Sequence, residues 1–116
     1  MGVYEGFQRL RRAGTAVFVS PWSHDASVIA HHEYSATSYE YEMTIDEKLS
    51  LEQRVKTMIH EFLHFSAQFR EYLGKRLTKN HPVEREIDNL TDIVYDTSPI
   101  LRNYLKKLLQ QESFVL

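Results

Sequence analysis

The chain has 116 residues, of which 42% are hydrophobic, and its formal net charge is −2 at pH 7. A chain of this length builds one hydrophobic core, so residues 1–116 are expected to form a single domain. The small net charge provides no general attraction for nucleic acid or anionic lipid. Because the chain has no cysteine, disulfides, thiolate metal sites and a cysteine nucleophile are excluded.

Targeting and membrane signals are absent from the sequence. No apolar run has the length of a membrane span, and the amino terminus lacks the basic-then-apolar pattern of a secretory signal. We therefore expect a cytoplasmic protein without a membrane or nucleic-acid partner.

The first half of the chain alternates between helical and strand patterns. Apolar residues at helical spacing between positions 3 and 10 predict a first helix, which Gly14 ends. The β-branched and aromatic stretch Thr15–Ser20 predicts a first strand. A second strand is expected at Val28–Ser35. Strict alternation in Tyr39–Asp46 predicts a third strand with one solvated face.

The second half is predominantly helical. Ser50 and Gln53 form a capping box that starts a long helix, and Gly74 is placed to end it. Pro82 and Pro99 each occupy the first-turn position of a further helix. The predicted fold class is α+β, with a small three-stranded mixed or antiparallel sheet beside an N-terminal helix, a central helix and two later helices.

The segment His60-Glu61-Phe62-Leu63-His64 carries the main chemical signal. Positions i and i+4 of a helix project from one face, so His60 and His64 can bind one metal ion. Glu61 lies between them, where its carboxylate can reach a metal-bound water without binding the metal. The two other residues between the histidines, Phe62 and Leu63, are apolar. The motif thus lies inside an apolar helical pattern, where an unpartnered polar group is costly.

A zinc site with two histidines needs a third protein ligand. The helix that begins at Pro82 offers Glu84, Glu86, Asp88 and Asp92. Glu84 is preferred, because Asp88 then lies one turn further along the same face and can accept the second ring N–H of a ligating histidine. Glu86 and Asp88 stay open as alternative ligands.

These two segments resemble a known group of enzymes. In the gluzincin metallopeptidases, H-E-x-x-H is followed by a glutamate helix bearing E-x-x-x-D, as in Glu84-Arg85-Glu86-Ile87-Asp88. The size of the chain is similar to that of the single-domain minigluzincins. Asp88–Asp92 matches the spacing of the second motif too, with Asp88 as the ligand. Larger gluzincins have a separate C-terminal subdomain, which this chain lacks.

The resemblance implies a zincin-like fold and a zinc-dependent metalloendopeptidase that acts on peptides or unfolded proteins. His60, His64 and Glu84 would bind Zn²⁺, and Glu61 would be the general base. The strand Tyr39–Asp46 would be the edge strand of the cleft, to which an extended peptide can add. The oxyanion donor is not identified by the sequence. The residues near the motifs that are able to serve are Tyr72, His81 and Tyr95.

Two other functions fit the same residues. A zinc-binding protein with a regulatory or interaction role can use this site without catalysis. A helical interaction domain without metal is the second alternative. The apolar tail Ser113–Leu116 has no obvious place to pack, so it is expected to occupy the cleft of its own molecule or to mediate oligomerisation.

Overall fold

A computed structural model describes residues 2–21, 27–30, 41–72 and 77–116, with residues 27–30 described by their backbone alone. These residues form an α+β arrangement of four α-helices, one 3-10 helix and a mixed sheet. In chain order the elements are α1 (Gly2–Ala13), β1 (Thr15–Ser20), β2 (Ser27–Ala30), β3 (Tyr41–Asp46), α2 (Leu51–His64), a 3-10 helix (Ala67–Tyr72), α3 (Pro82–Thr97), α4 (Pro99–Leu108) and β4 (Ser113–Val115).

The sheet contains four strands in the order β2-β3-β1-β4, one more than the sequence pattern predicts. Strands β1 and β3 are parallel, while β2 and β4 each pair antiparallel with their neighbours. Strand β3 therefore lies inside the sheet, and the prediction that Tyr39–Asp46 forms the edge of the cleft is wrong. Strand β2 supplies the second hydrogen-bonded neighbour that excludes β3 from an edge position.

The fourth strand comes from the apolar tail, for which the sequence indicates no packing site. Phe114 pairs with Val17, and the Leu116 amide donates to the Thr15 carbonyl oxygen over 3.0 Å. Phe114 and Leu116 also pack against the core. The tail lies in the sheet and not in a cleft of its own molecule, because the open edge of β1 offers it main-chain hydrogen bonds. Oligomerisation through the tail stays a prediction.

The predicted strand positions agree with the described residues over most of their length. Strand β1 has the predicted bounds, and its neighbours β2 and β3 overlap the second and third predicted strands. Residues 31–35 of the second prediction and residues 39–40 of the third lie outside the described residues.

Helix α1 packs closely against α2. Gly6 meets the α2 backbone, where a Cβ atom would lie 1.6 Å from the Phe62 carbonyl oxygen. Only glycine permits this separation between the two helices. At the end of α1, Gly14 adopts a positive φ of 72° and turns the chain into β1, as the sequence predicts. The α1 contact thus fixes the position of the helix that carries both histidines.

Helix α2 begins as predicted and ends ten residues earlier than Gly74, at His64. The capping box is present, since the Gln53 amide donates to Ser50 Oγ over 3.2 Å and the Ser50 amide donates to Gln53 Oε1 over 3.0 Å. After His64 the chain turns into the 3-10 helix, whose Ala67 amide donates to the Glu5 carboxylate of α1. This long-range contact overrides the local helical pattern, and Gly74 itself lies outside the described residues.

Helices α3 and α4 start at Pro82 and Pro99, as predicted. The His81 side chain caps α3, because its Nδ1 accepts a hydrogen bond of 3.1 Å from the Val83 amide.

No helix in the described part of the chain is both long and apolar enough to cross a membrane. The core lies between the sheet and the helices, and the most deeply buried face of α2 consists of Val55, Met58, Ile59 and Phe62.

Candidate metal centre

Helices α2 and α3 pack side by side and run in opposite directions. Lys56 contacts Asp92, His60 contacts Asp88, and His64 contacts Glu84, so the residue numbers rise along one helix as they fall along the other. Each contact lies about one helical turn from the next. The first turn of α3 therefore meets the last turn of α2, where the two histidines lie.

Three side chains converge at this contact. His60 Nε2 lies 3.2 Å from Glu84 Oε2, and His64 Nε2 lies 3.0 Å from Glu84 Oε1. The two Nε2 atoms are 3.1 Å apart. His60, His64 and Glu84 form a group of potential metal ligands within the described part of the chain, and all three side chains are partly buried.

These separations match those of zinc ligands. In a tetrahedral site with bonds of about 2.05 Å, any two ligand atoms are about 3.3 Å apart. The two histidine nitrogens are 3.1 Å apart, and each lies 3.0 to 3.2 Å from one of the two Glu84 carboxylate oxygens. With one ligand atom from each residue, the three atoms all lie within 4.8 Å of one another. Two imidazole nitrogens and one carboxylate oxygen are also a donor set that zinc uses in catalytic sites. The geometry and the chemistry of these residues therefore fit a zinc ion with one position left for water.

Asp88 interacts with the opposite side of the His60 ring. Its Oδ1 lies 2.9 Å from His60 Nδ1, which makes that nitrogen the donor because a carboxylate can only accept. In the neutral ring, the lone pair of Nε2 then faces Glu84 and His64. Lone pairs directed at one another repel, and a cation placed between them removes the repulsion. Asp88 thus sets the tautomer that a metal ligand requires.

His64 favours its neutral form. Burial lowers the pKa of His64, and the neighbouring His60 lowers it further, although Glu84 acts in the opposite direction. A metal binds the neutral imidazole and competes with protons for its nitrogen. A lowered pKa reduces this competition, so the surroundings of His64 favour metal binding.

Glu61 lies beside the cluster, where it is half buried and lines the same cleft. Burial raises the pKa of the Glu61 carboxyl from 4.5 to about 8, and the negative charge of Glu84 adds to the effect. Among the described residues no side chain or amide forms a hydrogen bond or ion pair with this carboxylate. A carboxylate that is partly removed from water and has no partner among the described residues is destabilising, which makes Glu61 a candidate functional group.

The other acidic candidates of α3 do not meet the ring nitrogens that converge on Glu84. Glu86 is exposed, and its Oε1 accepts a hydrogen bond of 3.1 Å from the Gln68 amide. Asp92 forms an ion pair of 3.2 Å with Lys56. Asp88 meets His60 at Nδ1 and not at the nitrogen that faces Glu84. The structure thus brings Glu84 together with the two histidines and places its three alternatives elsewhere.

An open cleft of about 870 Å³ exposes this cluster to solvent. On α2, the residues that line the cleft recur at helical spacing from Gln53 to His64. The remaining described lining comes from α3, from Leu77 and Lys79 just before α3, and from Leu49 before α2. The sequence predicts His60, His64 and Glu84 as a group but not the rest of the wall, although the polar side chains at helical spacing before His60 are a usable signal. The described lining residues are Leu49, Gln53, Lys56, Thr57, His60, Glu61, His64, Leu77, Lys79, Glu84, Asp88, Thr91 and Asp92.

None of the three oxyanion candidates lines the described part of this cleft. Tyr95 is buried, and the Lys56 ammonium lies 5.1 Å from the centre of its ring. His81 caps α3, and its ring lies 5.9 Å from that of Tyr72. These side chains therefore have packing and capping roles in the structure.

Comparisons of the chain with protein-family models, with curated proteins and with solved structures give no significant match. The metal centre is therefore inferred from the residues and their geometry. Its most specific features are the convergence of the three potential ligands and the Glu61 carboxylate beside them, which has no partner among the described residues.

Proposed function

We propose that this protein is a cytoplasmic, zinc-dependent metallopeptidase with a zincin-like catalytic domain of the gluzincin type. In this proposal His60, His64 and Glu84 hold the zinc ion, and Glu61 is the general base. The observation that carries it is the convergence of the two histidine nitrogens, 3.1 Å apart, on the Glu84 carboxylate, with each nitrogen 3.0 to 3.2 Å from one of its two oxygens. Beside them lies the half-buried Glu61 carboxylate, which has no partner among the described residues. Zinc, when bound, lowers the pKa of a coordinated water to about 7 and polarises the substrate carbonyl.

The residues of the chain perform the remaining tasks. Glu61 accepts the proton of the attacking water and returns it to the leaving amine. A general base works best when its pKa is near the working pH, and burial of Glu61 moves its pKa in that direction. Asp88 holds the His60 ring in the orientation that directs Nε2 at the cluster.

The shape of the cleft supports a polymeric substrate. It is open to solvent and extends along α2 from Gln53 to His64, a distance of about 17 Å at 1.5 Å per residue. An open groove of this length accommodates several residues of an extended chain. Peptides and unfolded proteins are therefore the proposed substrates.

The test compares cleavage by the wild type and Glu61→Gln, both loaded with zinc, using casein and internally quenched peptides. Glutamine cannot accept the proton, so we expect a loss of about 100-fold or more in kcat while zinc content stays unchanged. Glu86→Gln is the matched control, because Glu86 is exposed on α3 and bonded to Gln68. This control is expected to keep the wild-type rate.

Two results would contradict the proposal. Equal cleavage by the wild type and Glu61→Gln would show that Glu61 is not the general base. Stoichiometric zinc without cleavage of any substrate would instead favour a zinc-binding protein with a regulatory or interaction role.

A further inference from the structure

The charged side chains of the cleft differ in whether they have a partner. Glu84 and Asp88 contact the histidines, and Asp92 forms an ion pair with Lys56. Glu61 is assigned to catalysis in the proposed function. Each carboxylate on the described cleft wall is therefore engaged in an ion-pair contact or in the proposed chemistry.

Lys79 is the lysine of the described wall that lacks such a partner. Its side chain is exposed, it lines the same cleft as the metal cluster, and no described carboxylate lies within ion-pair distance. Lys56, the other lysine of the wall, lies 3.2 Å from Asp92 and is held on the side of α3. Among the lining residues that the structure describes, Lys79 thus presents the one uncompensated, solvated ammonium group.

The location of Lys79 places this charge on the wall of the cleft that holds the metal cluster. It lies five residues before Glu84, in the short segment that leads into the first turn of α3. Leu77 of the same segment also lines the cleft. A substrate bound at the metal cluster therefore passes this segment, and the flexible lysine side chain can follow a charged group on it.

We infer that Lys79 is a specificity-determining residue that binds a carboxylate of the peptide substrate close to the scissile bond. This inference rests on the proposed function. The carboxylate has two sources in a peptide, the side chain of Asp or Glu and the free C-terminus. A compact ammonium group binds either of them as a point charge.

The size of the effect follows from the exposure of Lys79. Solvent-exposed ion pairs are weak, and a pair at the edge of a cleft is at the upper end of their range. We therefore expect roughly a three- to tenfold preference in kcat/KM for a peptide with the carboxylate over its neutral counterpart. The preference is expected mainly in KM, because Lys79 contacts a carboxylate of the substrate and not the atoms of the bond that breaks.

The experiment uses matched, internally quenched peptides. In one arm Asp or Glu replaces Asn or Gln at each of three positions on both sides of the cleaved bond. In the other arm a free C-terminus replaces an amidated one. Lys79→Ala is expected to bring the wild-type preference down to about onefold, and Lys79→Arg to retain it. Lys107→Ala, which removes an exposed lysine from α4 outside the described cleft wall, is expected to keep it.

The same peptides are titrated calorimetrically into zinc-loaded Glu61→Gln, with and without Lys79→Ala. An acidic preference in cleavage or binding that Lys79→Ala removes supports the inference, and the arm in which it occurs identifies the source of the carboxylate. A wild type without preference, or a preference unchanged in Lys79→Ala, overturns it. Peptides that bind with a Lys79-dependent preference but are never cleaved would contradict the peptidase and leave the role of Lys79 supported.

Discussion

The carboxylate of Glu61 is a costly group to bury at high pH. Its pKa is raised from 4.5 to about 8 in the folded, metal-free protein, first by burial and then by Glu84. Between these two values the folded state binds more protons than the unfolded state. Stability contributed by the protonated carboxyl is therefore fully present below pH 4.5 and is lost as the pH rises to about 8.

This loss of stability at high pH leads to a prediction for the metal-free Glu61→Gln variant. The glutamine amide carries no charge at any pH, so the melting temperature of the variant in EDTA is expected to exceed that of the wild type by several degrees at pH 9. At pH 5 the difference is expected to be much smaller, because the wild-type carboxyl is then protonated in the folded state. Scanning calorimetry at both pH values measures the two differences.

Glu86→Gln provides the control for this measurement. Its carboxyl group is exposed, so we expect a difference from the wild type that does not change between the two pH values. An equal effect of Glu61→Gln at pH 5 and pH 9 would contradict the assignment of Glu61 as a buried acid.

In the proposed metal site, Asp88 would act on the metal through His60. Removing its carboxylate in Asp88→Ala releases the ring to rotate and to change tautomer, so we expect zinc affinity to fall about 10- to 100-fold. Competition with a chromophoric chelator measures the affinity. Asp96→Ala, an exposed acid on the same helix, should bind zinc like the wild type. An unchanged affinity in Asp88→Ala would show that the hydrogen bond does not prepare the site.

At the scale of elements, the contact between α1 and α2 positions the histidine helix. A methyl group at position 6 would lie 1.6 Å from the Phe62 carbonyl oxygen, so the two helices must move apart in Gly6→Ala. We expect a loss of about 3 kcal/mol or more in the free energy of unfolding. Helix propensity alone would raise the stability by about 1 kcal/mol, so the sign of the change separates the two effects.

Chemical denaturation measures this change, and Gly2→Ala is the control. Its Cβ would lie 3.0 Å from the Ser66 Cβ, a much less severe approach than the 1.6 Å at position 6. We expect a smaller loss for Gly2→Ala. Equal stability of the wild type and Gly6→Ala would mean that the helices do not require this close approach.

The sequence predicts those elements that are determined locally. Helix starts at Ser50, Pro82 and Pro99 follow from capping and proline geometry, and β1 follows from its β-branched residues. The end of α2 depends instead on Glu5, which lies 62 residues before Ala67 in the chain. Strand β4 depends on main-chain pairing with β1, which leaves little trace in the side-chain pattern.

In the candidate site, too, some residues are predictable from the local sequence and others depend on tertiary packing. The spacing of His60 and His64 determines a shared helix face, so the pair is evident from the sequence. The choice among the acids of α3 depends on the rotation of that helix, which is determined by the burial of Ile87 against the core. Lys79 comes to the cleft by the path of a segment without regular structure, and no periodic pattern predicts such a path.

At the scale of the whole molecule, α2 links the core to the cleft. It packs against α1, α3, α4 and β3, and its buried face excludes water while its opposite face lines the cleft. The three potential ligands come from two helices whose relative position depends on this packing. Zinc binding should therefore stabilise the folded state, because the unfolded chain does not hold these ligands together.

The most direct test of the metal centre is elemental analysis of the purified protein after incubation with zinc and removal of excess metal. The wild type and the control Glu86→Ala are expected to contain about one zinc ion per chain, while His60→Ala and Glu84→Ala are expected to lose it. Circular dichroism of the four proteins shows whether each variant is folded. A wild type without zinc, or a folded Glu84→Ala that retains the full amount, would contradict the proposed metal site.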